Sequence, residues 1–201
     1  MIDFEFYTPT RVFFGKDTHR KVGEIIKDYG FKKVLFHYGG GSIKRTGLYD
    51  QVVKSLSSNG IDFVELGGVQ PNPKLSLVKA GVELCKREKI DMILAVGGGS
   101  VIDSAKVMAI SALADNDPWD FVTGKAKPEK ALPVGTVLTL AASGSEMSSS
   151  AVITKEDEQL KRGFNSDFNR PLFSIMNPEL TYTVDKFQTG CGIVDIMMQT
   201  L

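Results

Sequence analysis

Small and hydroxyl-bearing residues gather at three places in this chain: Gly97-Gly98-Gly99-Ser100, Gly39-Gly40-Gly41-Ser42, and the run Thr139 to Glu146, TLAASGSE. The first follows the apolar run Ile93-Leu94-Ala95-Val96 and leads into Val101-Ile102-Asp103-Ser104-Ala105-Lys106. An apolar strand that ends in glycines, with a serine opening an amphipathic helix, puts bare backbone N–H groups and a helix N-terminus at the strand's carboxyl end. That is chemistry for holding phosphate. The spacing is not that of the G-x-G-x-x-G fingerprint. The plainer reading is a tight strand-to-helix turn with Ser100 or Asp103 in the cap region, and Asp103 and Lys106 as an i, i+3 pair on an exposed helix face.

The surrounding pattern supplies elements to position these clusters. His19 to Tyr29 is a helical candidate, followed by a strand at Val34 to Tyr38. Leu48, Val52, Val53 and Leu56 mark the inner face of a helix closed by Asn59-Gly60. Phe63 to Leu66 reads as a short strand, and Leu75, Val78, Val82 and Cys85 fall at helical spacing. Met92 to Val96 is a continuous buried strand, and the next helix runs to about Ala114. This alternation predicts an α/β fold with a doubly wound, mostly parallel sheet, a Rossmann-like nucleotide-binding domain. In such a sheet the carboxyl ends of the strands line one crevice, where ligands sit.

After a surface stretch from Asp115 to Pro133, Val134 to Leu140 reads as a strand. Ala151 to Thr154 and the return past Lys161 to Phe164 form a hairpin around Glu156-Asp157-Glu158, and Leu172 to Met176 is a last strand. From Asp185 the pattern turns helical, with Ile193, Ile196, Met197 and Leu201 as an apolar stripe. At the other end, Phe4 to Phe14 alternates aromatic and polar residues around Thr8-Pro9-Thr10, a short hairpin or a bent edge strand.

Bulk properties narrow the function classes. Lys+Arg and Asp+Glu both number 24, and there is no long basic run, which argues against nucleic acid. No apolar run reaches the ~18 residues that would span a bilayer. The first residues lack a basic and then apolar signal segment. Cys85 and Cys191 show neither metal-like nor redox spacing and read as reduced thiols of a cytoplasmic protein. His19 and His37 are the only histidines, and neither lies near a nucleophile elbow.

The three clusters, in this order and at these separations, resemble the iron-containing (group III) alcohol dehydrogenases, and most closely their butanol-dehydrogenase-like branch. The resemblance runs along the whole chain but covers only the front half of such an enzyme. It implies a dinucleotide-binding α/β domain over residues 1–183, with 184–201 beginning a helical metal and substrate domain. By the same resemblance Gly98, Gly99, Ser100 and Asp103 lie against the cofactor's pyrophosphate and adjoining sugar. Gly39, Gly40, Gly41 and Ser42 form a second cradle, and Asn72 contacts the cofactor. Thr139, Ser143 and Ser148 belong to the segment running beside the pyrophosphate and nicotinamide, to which Ser145 also contributes. NAD-preferring relatives carry an acid near the Gly40 position. Its absence here, with Ser42, Lys44 and Arg45 nearby, leans toward NADP(H) while leaving NAD(H) open.

The resemblance also implies a divalent metal, iron or zinc, and a homodimer paired through the N-terminal strands. Asp195 matches the aspartate of an Asp-x-x-x-His ligand pair, but Gln199 stands at the histidine position, and an amide oxygen is a poorer donor than imidazole. Two readings follow. One is an NAD(P)H-dependent oxidoreductase acting on primary alcohols or aldehydes, by metal-assisted hydride transfer, with the 201-residue chain inactive by itself. The other is a catalytically inactive nucleotide-binding fragment or degenerate relative.

Overall fold

The computed structural model describes residues 3–5 and 7–200, and of Gln199 only the backbone; Met1, Ile2, Phe6 and Leu201 lie outside the described residues. Along the chain run β1 (Arg11–Phe14), α1 (Val22–Asp28), β2 (Lys33–Tyr38), α2 (Ser42–Arg45), α3 (Leu48–Ser58), β3 (Asp62–Leu66) and α4 (Leu75–Glu88). There follow β4 (Met92–Gly97), α5 (Gly99–Ser111), α6 (Pro118–Val122), β5 (Val134–Leu138), β6 (Ser150–Lys155), β7 (Leu160–Asn165), β8 (Phe173–Met176) and α7 (Lys186–Thr200).

Six strands form one sheet in the order β1-β8-β5-β4-β2-β3, every pair parallel. The doubly wound parallel sheet expected from the sequence is therefore present. Continuous apolar runs make its middle, because a strand covered on both faces has no solvent side. All six residues of β4 and all five of β5 are buried. The pleat of β4 sends Ile93 and Ala95 to one core with α4 and α5, and Met92, Leu94 and Val96 to the other with α1 and α3. Burying such side chains on both faces contributes about 1.5–3 kcal/mol each relative to exposure.

Two expectations need correction. The helix after the glycines is not amphipathic. Ten of its residues, from Val101 to Ser111, are buried, because α4, α6 and β6 cover the side turned away from the sheet. The charged stretch after it hides α6, whose Asp117 caps the helix by accepting from the Trp119 N–H at 2.9 Å and whose Phe121 and Val122 are buried. At the amino end, of the two alternatives the edge strand forms: Arg11–Phe14 is laid parallel on β8. The antiparallel hairpin β6–β7 forms as expected. On α7, Ile193, Ile196 and Met197 are each more than half exposed. Among the described residues no helix is long and apolar enough to cross a membrane.

Candidate functional site

Parallel register brings three glycine or hydroxyl clusters to one end of the sheet. Tyr38 pairs with Val96 and Gly97 with Leu138, so the chain leaves β2, β4 and β5 side by side. A cavity of about 600 Å³ opens there, lined by Ser42, Gly98, Thr139, Leu140, Leu180 and Gln188 among others. Ser42, Gly98 and Thr139 are thus brought together from segments far apart in sequence.

The start of α5 is built from main chain alone. Its N-cap is Gly98, in extended conformation, with no side-chain cap. Ser100 and Asp103 lie inside the helix, which corrects the reading of either as the cap. The first-turn N–H groups therefore lack a side-chain partner, at a helix start whose N-cap Gly98 lines the cleft. Gly99 is closely approached by the serine loop: a β-carbon there would collide with the Ser143 hydroxyl. At Gly40 nothing lies within 4 Å of an added β-carbon, so the protein itself leaves that space open. Ser42 opens the short α2 directly after this turn, again without a side-chain cap.

Asp103 and Lys106 do not form an exposed surface pair. The Lys106 side chain is wholly buried. Its ammonium donates to Ser145 Oγ at 2.9 Å and to the carbonyls of Ser148 at 3.0 Å and Ser150 at 2.8 Å. Asp103 accepts from Ser145 Oγ at 2.5 Å and from the Val152 N–H at 3.0 Å. Burial pushes the Asp103 carboxyl above its ordinary range, opposed by those two hydrogen bonds and by Lys106. Burial pulls the Lys106 ammonium down to about 8, against the attraction of Asp103 and Glu146.

Ser148 faces Lys106, with its carbonyl and, at 3.4 Å, its hydroxyl. Ser143 instead lies against the start of α5. Asn72 sits outside the cavity lining with φ +58°, and its carboxamide oxygen accepts from Lys161 Nζ of β7 at 2.7 Å. The Lys44 ammonium lies over the rings of Tyr38 and Tyr49, at 5.4 and 4.7 Å from their centroids. Both tyrosine hydroxyls donate to Glu65, at 2.8 and 2.7 Å. Sequence reasoning missed this aromatic–carboxylate group, which the topology creates by laying β3 beside β2. It also undervalued Lys106; a single lysine amid Ala105, Val107, Met108 and Ala109 is the signal that would have found it.

The described residues do not assemble a metal centre. No group of three or more His, Cys, Asp or Glu side chains comes together among them. Asp195 is on exposed α7, and the side chain of Gln199 lies outside the described residues. Both histidines are engaged elsewhere. His37 donates from Nδ1 to the Leu66 carbonyl at 2.8 Å, so Nε2 accepts from the Ser104 hydroxyl, also at 2.8 Å. His19 is held between Gln51 and Asn177, at 2.5 and 3.2 Å.

Comparison with known proteins shows the family and the fold. The family model described as iron-containing alcohol dehydrogenase matches residues 9–178. The chain is 48% identical to NADH-dependent butanol dehydrogenase A of Clostridium acetobutylicum, over all of this chain and 51% of that protein. It is 40% identical to the NADPH-dependent aldehyde reductase YqhD of Escherichia coli, over all of this chain and 52% of that protein. Among solved structures, NADH-dependent butanol dehydrogenase A from Thermotoga maritima superposes with a TM-score of 0.94 at 51% identity, covering 96% of this chain and 48% of that one. The chain thus spans about half the length of the curated relatives it matches.

Proposed function

This chain belongs to the iron-containing alcohol dehydrogenase family, and on that footing we propose that it is the dinucleotide-binding part of an NAD(P)H-dependent alcohol/aldehyde oxidoreductase. The observation that carries the proposal is the convergence of Ser42, Gly98 and Thr139 on one cleft beside an α5 start capped only by main chain. In this reading the N–H groups at Gly99 and Ser100 hold the pyrophosphate, and the space beside Gly39, Gly40 and Gly41 takes the adenosine ribose. The loop from Thr139 through Ser143 to Ser148 flanks the nicotinamide end. Asn72 and Asp103 border the cofactor from the side of the β6–β7 hairpin. The chemistry is hydride exchange between nicotinamide and a primary alcohol or its aldehyde.

Residues 1–183 make up the binding domain in this proposal, and 184–201 open the helical metal and substrate domain. The iron or zinc of the reaction would need donors beyond Asp195, since the described residues do not gather a sufficient set. A homodimer through the N-terminal strands is supported by the edge position of β1, with Val12 and Phe14 exposed. The unpaired thiols Cys85 and Cys191 support a cytoplasmic location.

On cofactor choice, the acid-free Gly39–Gly41 turn supports NADP(H), whereas the relatives at 48–51% identity bear names specifying NADH. The decisive experiment is fluorescence titration of the 201-residue chain with NADH and NADPH. Binding of either at micromolar concentration supports the proposal, and binding of neither refutes it. The second reading, a module that binds but does not catalyse, is supported by Gln199 standing where the resemblance puts a histidine. Metal analysis and an aldehyde-reduction assay of the same chain test it; near-stoichiometric metal with turnover would exclude that reading.

A further inference from the structure

We infer that Lys106 is a positioning residue for the dinucleotide, holding the Ser145–Ser150 segment so that the loop starting at Thr139 stays seated against the start of α5. The inference rests on the dinucleotide reading given above. From Thr139 to Ser149, between β5 and β6, the chain has no regular structure, yet five consecutive carbonyls, from Glu146 to Ser150 at the start of β6, all find side-chain donors. Ser174 takes Glu146, Arg170 takes Met147 at 3.1 Å, Asn169 takes Ser149 at 2.8 Å, and Lys106 takes both Ser148 and Ser150. A part-buried stretch with almost no ladder to join satisfies its backbone this way. Lys106 is the one wholly buried cation among these donors.

The anchored segment continues directly into the cleft. Thr139 is tied to the end of β4 through its N–H to the Gly97 carbonyl at 3.1 Å, and Ser145 is tied to both Lys106 and Asp103. Between these two anchors Leu140 to Gly144 is exposed, with Ser143 against Gly99. The position of that short span is therefore set by its ends. Releasing the Lys106 end would let Ser143 move across the helix start that is to receive the pyrophosphate.

A protonated Lys106 has three hydrogens for Ser145, Ser148 and Ser150; the neutral amine has two, and it also leaves Asp103 without its neighbouring cation. The other charged groups facing it are Glu146 of the segment itself and Arg170 beyond β7, while Lys161 of β7 acts on Asp103. Burial has already brought the ammonium down to about 8. Cofactor affinity should therefore fall as pH rises through that value. Fold stability should respond in the opposite sense. Between about 8 and the ordinary lysine value of 10.5 the unfolded chain holds the extra proton, so this lysine adds stability as pH rises. A merely structural role predicts no loss of binding there.

The test is NADH titration of the 201-residue chain from pH 7 to 9.5, with urea unfolding at the same values, repeated for Lys106→Arg and Lys106→Met. For the unaltered chain the dissociation constant should rise about tenfold while the chain remains folded. Lys106→Arg should flatten that profile, and Lys106→Met should bind weakly at every pH. A flat profile in the unaltered chain overturns the inference, even if Lys106→Met fails to fold. Unchanged affinity in a folded Lys106→Met does the same. Absence of NADH and NADPH binding at pH 7 overturns the dinucleotide reading itself, and this inference with it.

Discussion

Lys44 holds its ammonium group 4.7 Å above the ring of Tyr49, whose hydroxyl in turn donates to Glu65 at 2.7 Å. The cation that the proposed reading would set near an adenosine 2′-phosphate is therefore shared with an aromatic pair, in a contact of about 0.5–1 kcal/mol at an exposed site. The tyrosines stay protonated: hydrogen bonding to Glu65, then burial, pushes Tyr49 up to about 12, and burial, then Glu65, does the same for Tyr38.

If the proposed cofactor placement holds, the open space beside Gly40 should govern discrimination between the two cofactors. Gly40→Asp places a carboxylate where no protein atom interferes. It is expected to weaken NADPH by about tenfold or more through repulsion, and to change NADH by less than about threefold. Parallel titrations of both cofactors check this; equal losses for the two would move the adenosine ribose elsewhere.

Gly99→Val should remove binding of both cofactors while the chain still folds. The new side chain meets the exposed Ser143 loop, which can shift, but it also covers the helix start. Affinity is expected to fall by about a hundredfold, with unfolding altered by no more than about 1–2 kcal/mol. Retained NADH binding in the folded variant would place the pyrophosphate away from α5.

His37 should make the fold acid-sensitive. Burial lowers its imidazole to about 4 from an ordinary 6.5, partly countered by its bond to Leu66. Between those values the unfolded chain binds the extra proton, so stability is full above pH 6.5 and is lost as pH falls toward 4. The loss amounts to about 3 kcal/mol. Urea unfolding at pH 7, 5.5 and 4.5 measures it, and an NMR titration of His37 with a midpoint near 6.5 in the folded chain would contradict it.

The two thiols should separate cleanly. Cys191 is exposed, whereas Cys85 is buried and pushed by burial up to about 12. A thiol-specific reagent at pH 8 should label one site quickly and the second only in denaturant. Rapid labelling of both in the native chain would mean that α4 does not pack as described.

Sequence patterning makes the sheet legible where strands are covered on both faces. Ile93 to Val96 and Val34 to Tyr38 could hardly be anything but central strands, and the glycines after them point to the cleft. It fails where a local rule is overruled by distant cover. Asp103 and Lys106 have the spacing of a solvent-facing pair, yet β6 lies over that face of α5 and turns both inward. Likewise α6 disappears into a charged stretch, because its five residues are too few to show a helical period, although Pro118, Phe121 and Val122 are buried. Nor does any local pattern say that β1 should find β8.

That last pairing bears on how the chain is made. Thr10 donates to the carbonyl of Pro171, 161 positions later, and Arg11 stands opposite Phe173. At bacterial or eukaryotic ribosome speeds of about 5–20 residues per second, β1 waits roughly 8–30 s for its neighbour. During that interval Phe13 and Phe14 have no sheet to join, while the β2–β4 centre can already assemble from closer segments. During synthesis β1 thus precedes its only sheet neighbour by most of the chain and is among the last of the six strands to be placed.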